Sequence, residues 1–130
     1  MDPERDRSFF RQILREFFDA EAIGQFVLGR FLSQATLQEI REYLELFENQ
    51  YLHLFYFTSY RLKSLTIQSV QKIKDGDRAG WLVGSQISRF QGAPLTVGWV
   101  VLQTSEGLRI FDMQINGYSF KIQQREDYGA

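Results

Sequence analysis

Cysteine is absent and histidine occurs once, at His53. Thiolate catalysis, disulfide frameworks and the common zinc and haem ligand sets therefore lack their donors, and neither a metal nor a cofactor is implied. An excess of charge of one sign is missing too: 15 Lys and Arg face 16 Asp and Glu. No net basic field gathers phosphates, so nucleic acid is not an expected partner. No run approaches the roughly 18 apolar residues of a membrane-spanning helix. The opening MDPERDRSFF has no apolar stretch ahead of a cleavage site, and the chain reads as soluble, or as a mature form that has lost its signal. Nucleotide loops are lacking as well, because the glycines of GDRAG and VGSQ lead into neither GKS, GKT nor GxGxxG.

What is present is aromatic. Phe, Trp and Tyr make up 15% of the residues, twelve of them Phe. A chain of 130 residues supports one sizeable core, so residues 1–130 are expected to form a single domain. Its core is either large for the length or wrapped around something apolar.

The apolar spacing changes once along the chain. Phe9, Phe10, Ile13, Leu14, Phe17 and Phe18 recur at helical spacing and predict a helix over about 4–18. Asp19 is suited to cap a second helix with Ile23, Phe26, Val27 and Phe31 on its apolar side, ending near Leu32 or Ser33. TLQE at 36–39 is a capping box, and it opens the longest helix, with Leu37, Ile40, Leu44, Phe47, Tyr51, Leu54 and Phe55 along one side to about Ser59. After Lys63 the period becomes two. Strands are predicted at about 64–73, 79–90, 95–103 and 107–115, joined by KDGD, QGAP and TSEG.

Alternation places Leu65 and Ile67, Val83 and Ile87, Val97, Trp99 and Val101, and Phe111, Met113 and Ile115 on one sheet face. Helices first and strands after argue for an α+β fold, a curved four-stranded antiparallel sheet covered on one face by the N-terminal helices. Ser119 is placed to cap a short terminal helix.

Catalytic groups are few. His53 has no Ser or Asp at i+3 or i+4 to build a relay, and it reads as a helix-surface or boundary residue. Asp112 has opposite parity to Phe111 and Met113, which turns it away from them as an outward acid, solvated or hydrogen-bonded. A buried base beside a Tyr is the enzymatic alternative. KDGDRAG lacks the further oxygen ligands of a calcium loop and reads as a hairpin turn.

Four stretches then stand in a telling order: FVLGRFLSQAT, YLELFENQYLHLF, ISRFQGAPLTVGWVV and GLRIFDMQINGYSFKIQQREDY. Over about residues 9–128 they resemble the MlaC family, also called toluene-tolerance auxiliary proteins of ABC transporters. The most specific piece is the last, with Phe111, Asp112, Asn116, Gly117, Tyr118, Ser119 and Arg125; Leu28, Gly29, Arg30 and Phe31, then Ala35 and Thr36, form the second anchor.

The resemblance implies a cone-shaped fold akin to nuclear transport factor, with acyl chains between helices and sheet. It implies a non-enzymatic periplasmic phospholipid carrier serving outer-membrane lipid asymmetry. Its partners would be an outer-membrane lipoprotein–porin complex and an inner-membrane ABC transporter complex. Relatives associated with hopanoids leave the cargo open, and a non-catalytic interaction module with a solid core is the alternative without a ligand. On the carrier reading the lipid-binding residues are Phe26, Val27, Phe31, Leu44, Phe47, Tyr51 and Phe55 on the helices, facing Val83, Ile87, Val97, Trp99, Val101, Phe111, Met113 and Ile115 on the sheet.

Overall fold

A computed structural model describes residues 3–59 and 62–129, with the side chains of 3–7, 10, 54–59 and 62 outside the description. Helix α1 spans Pro3–Phe17 and α2 spans Ala20–Leu28; a 3₁₀ turn Gly29–Gln34 leads into α3, Leu37–Ser59. The sheet follows as β1 Leu62–Asp75, β2 Arg78–Arg89, β3 Leu95–Thr104, β4 Gly107–Ile115 and β5 Tyr118–Ser119, before α4, Phe120–Asp127. Strand order is β1-β2-β3-β4-β5, and every neighbouring pair is antiparallel. The α+β architecture is thus the expected one, with a short fifth strand added to the four.

Local chemistry sets the element ends. The Asp19 carboxylate accepts from the Ala22 N–H at 3.0 Å and caps α2. That helix stops at Leu28, short of the expected Leu32, because Gly29 takes φ 57° and diverts the chain into the tighter 3₁₀ turn. The capping box at α3 closes both ways: Glu39 N–H donates to Thr36 Oγ1 at 3.1 Å, and Thr36 N–H to Glu39 Oε1 at 2.9 Å. These bonds hold the Glu39 carboxyl below its ordinary range. Asn116 and Gly117 both have positive φ, 51° and 88°, between the paired residues Ile115 and Tyr118. That is the two-residue hairpin turn with both central residues left-handed, and it creates β5.

Leu14, Phe18, Ile23, Val27, Phe47, Tyr51 and Leu52 form the buried core, with Trp99, Ile110 and Met113 of the sheet and Phe120 of α4 packed against it. The α1 stripe is narrower than its spacing suggests. Leu14 and Phe18 are buried while Phe9 and Phe17 are exposed, and Phe10 lies outside the described side chains. The α1–α2 junction is stitched to β4 by the Asp19 N–H donating to the Ile110 carbonyl at 3.0 Å, beside a parallel bridge from Phe18 to Ile110. Helices α2 and α3 meet closely at Gly24, where a Cβ would stand 2.9 Å from Leu44 Cδ2. The Tyr43 hydroxyl donates there to the Gly24 carbonyl at 2.9 Å.

Candidate functional site

Residues directly opposite on paired strands share a face, so the register assigns the sheet's inner side. Trp99 pairs with Met113 and Val97 with Ile115; Val83 pairs with Trp99, and Trp81 with Val101. Trp99 and Met113 touch the helical core, which makes this the helix-facing side. Across to β1, Ile87 pairs with Leu65, Ser85 with Ile67 and Val83 with Val70. A register shift between Ile67 and Ser69 moves Val70, rather than Ser69, onto the inner face. One apolar surface therefore runs from β4 to the free edge of β1.

The helices cover only part of it. Phe18 meets Trp99 edge-on at 6.5 Å and Tyr51 at 5.9 Å, filling the space over β3 and β4. At the other end Leu65, Ile67 and Val70 are 48%, 61% and 63% exposed. The expected lipid-binding residues divide accordingly. Val27, Phe47 and Tyr51 are buried in the core beside Trp99 and Met113. Val97 and Ile87 are buried, and Val83, Val101 and Ile115 half-buried. Phe26 is half-buried beneath two cations, Lys121 Nζ at 4.5 Å and Arg125 Cζ at 4.8 Å from its ring centroid. Phe31 lies on the 3₁₀ turn with Arg30 Cζ 5.1 Å from its ring centroid. Leu44 borders a cleft of ≈ 570 Å³ shared with Arg11, Arg15, Glu45 and Glu48, and the Phe55 side chain lies outside the described residues.

Phe111 requires a correction. A bulge between Val100 and Val101 pairs Val101 with Ile110 and Val100 with Asp112, leaving Phe111 as the extra residue. Ile110 takes the core-facing place; Phe111 is buried instead under Arg78, whose Cζ is 5.2 Å from the ring centroid. Phe111, Met113 and Ile115 do not share the regular alternation.

Asp112 pairs opposite Val100, on the face away from Met113 as its parity placed it, but it is not solvated. It is buried and tied to the start of α4: Oδ1 accepts from the Lys121 N–H at 3.1 Å and the Met113 N–H at 2.9 Å, and Oδ2 from the Ser119 hydroxyl. Ser119 in turn caps α4, accepting from the Ile122 N–H at 3.2 Å. Burial first, and the Asp112 charge second, push the Tyr51 hydroxyl far above its ordinary range. Burial, with Tyr128 adding, lifts Tyr43 to about 12. An acid beside a Tyr is therefore present, yet the carboxylate is engaged by three donors. Through these bonds it orders the start of α4.

Two features escaped the sequence reading. Ser85 is buried on the inner face, accepting from Trp99 Nε1 at 2.9 Å and donating to the Val97 carbonyl at 2.8 Å. That pair removes the polar cost of placing an indole and a hydroxyl on an apolar wall. The second is charge segregation, hidden by the balanced total. Between Glu48 and Glu106 the only acids are Asp75 and Asp77, against Arg61, Lys63, Lys72, Lys74, Arg78 and Arg89, a net of +4.

The larger cleft, ≈ 690 Å³, is polar: Arg15, Glu48, Arg78, Glu106 and Arg109 are among its walls. Its charges answer one another, with Arg15 on Glu48 at 2.9 Å and Arg109 on Glu106 at 3.2 Å. Arg109 also donates to the Arg15 and Glu16 carbonyls at the end of α1. Among the described residues no cluster of His, Asp and Glu could hold a metal ion, and no helix is long and apolar enough to cross a membrane.

Comparison with known proteins adds a family and a fold. The family model described as MlaC protein matches residues 1–130. Among solved structures, the phospholipid-binding protein from Ralstonia solanacearum, determined in complex with a phospholipid, superposes with a TM-score of 0.74 at 17% identity, covering 95% of this chain and 70% of that one. No curated protein sequence matches the chain.

Proposed function

The chain belongs to the MlaC family, and on that premise we propose that it binds phospholipid and carries it through the periplasm. The route runs between an outer-membrane lipoprotein–porin complex and an inner-membrane ABC transporter complex. The whole of residues 1–130 acts as one lipid-binding domain without a covalent step, the energy being spent by the transporter.

The observation that carries this reading is the inner sheet face, apolar from β4 to β1 and covered by helices over only part of its width. The Ralstonia solanacearum protein, with the same fold, was solved holding a phospholipid. Each methylene removed from water contributes about 0.8 kcal/mol, so roughly 30 of them contribute on the order of 24 kcal/mol. A carrier needs a broad apolar wall to offset that. The half-buried part of the face, Val83, Val101 and Ile115, with buried Ile87 and Val97 beside it, supplies one. Val27, Phe47 and Tyr51, packed among themselves, form its backing rather than its lining, unless the helical layer lifts during exchange.

The test is native mass spectrometry of protein purified without detergent, followed by extraction and identification of what is released. A bound species of phospholipid mass is the expected result and also names the cargo. Protein that is lipid-free and takes no lipid from vesicles contradicts the proposal and leaves an interaction module with a filled core.

A further inference from the structure

The uncovered end of the sheet joins apolar area to unanswered positive charge. Leu65, Ile67 and Val70 project from the inner face of the edge strand, all three exposed. Lys72 and Lys74, opposite Trp81 and Ala79, continue the same face toward the β1–β2 turn. Lys63 stands at the other end of the strand, and all three lysines are exposed. Among the described residues, the ion pairs involve Arg11, Arg15 and Arg109 with Glu48 and Glu106, and none engages these lysines. The opposite face of β1 presents Ser64, Thr66, Gln71, half-buried Ile73 and Asp75, so the lysines and the exposed apolar side chains gather on one side of the strand and its acid lies on the other.

We propose that this end of the sheet is a docking surface for an anionic phospholipid bilayer, with Leu65, Ile67 and Val70 entering the interface and Lys63, Lys72 and Lys74 meeting the headgroups. Apolar side chains flanked by lysines bind such surfaces by buried area and by attraction to anionic lipid together. Trp81, half-buried beside Lys72, is of the type that settles at a headgroup boundary. Charge argues against a second copy in this place. Two β1 edges pairing antiparallel would bring the lysines of one end against those of the other, the arrangement that keeps edge strands apart. The proposal goes beyond lipid carriage, since a chain that carries nothing could still dock.

The probe is co-flotation of the full chain with phosphatidylglycerol-rich vesicles and with pure phosphatidylcholine vesicles, at low and high salt. Binding to the anionic vesicles that weakens with salt is expected. In the double variant Lys72→Gln, Lys74→Gln that affinity should fall about thirty-fold, the effect of two lysines near an anionic surface; Ile67→Ser should weaken binding without changing its salt dependence. Equal binding to both vesicle types, or variants that float as the parent does, overturns the proposal. So does a chain that ignores vesicles and sediments as a dimer. Lipid loading, read on the same samples by native mass spectrometry, separates loss of docking from loss of carriage.

Discussion

The helix-covered end of the sheet and the β1–β2 end are built from similar residues but finished differently. Over β3 and β4, apolar side chains interlock with Phe18, Tyr51 and Phe120, and polar groups are answered: Asp112 by three donors, Glu48 by Arg11 and Arg15. Over β1, the same kind of side chain is exposed, and among the described residues no ion pair engages its lysines. An apolar residue left exposed on an edge strand adds little to stability. The difference teaches that burial at the first end holds the fold together, while the second leaves an apolar patch of the kind that binding surfaces present.

Substitution should expose the contrast most strongly in the core. Leu52→Ala, in the closed end, is expected to cost about 2–5 kcal/mol, whereas Ile67→Ala at the open end should stay within about 0.5 kcal/mol. Urea unfolding of both variants checks the pair, and equal costs would break the comparison. Next in size, Asp112→Ala leaves the Lys121 N–H, Met113 N–H and Ser119 hydroxyl without their acceptor. A loss of about 1–3 kcal/mol follows, and amide exchange should show α4 fraying first.

Smaller again, Thr36→Ala removes half of the α3 capping box at a cost of about 1 kcal/mol. Glu39 gives that box a pH dependence. Its carboxyl is held below the ordinary 4.5 by the bonds to Thr36, so its contribution is present above that value and is lost as pH falls through the lowered folded value. Far-UV circular dichroism of the parent and Glu39→Gln across that range should converge at the acid end. At the basic end Tyr43, lifted to about 12 by burial, stabilises the fold below its ordinary 10.0 and loses that contribution as pH rises through 12. Absorbance titration of Tyr43→Phe against the parent should show one late-ionising phenol missing.

Much of this was legible in the sequence where chemistry is local. Asp19, the Thr36–Glu39 pair and Ser119 each predicted the helix end they make, and the shift from helical to alternating spacing predicted four antiparallel strands. Bulges were not legible, because an extra residue leaves no mark on composition while reversing every side chain beyond it. For that reason Phe111 yielded its place to Ile110, and Val70 joined Ile67. The burial of Asp112 was missed for a different reason: its partners lie up to nine residues away, on a helix that exists only after the Asn116-Gly117 turn.

The central claim is that carried lipid lies on the inner face of the sheet, over Val83 and its neighbours. A photo-reactive residue placed at Val70, inner and opposite Val83, and separately at its neighbour Gln71, outer and opposite Leu82, tests it on one exposed strand without vesicles present. After irradiation of lipid-loaded protein, an adduct of phospholipid mass at position 70 and none at 71 is the predicted result. Equal labelling at both positions, or at neither, would contradict it.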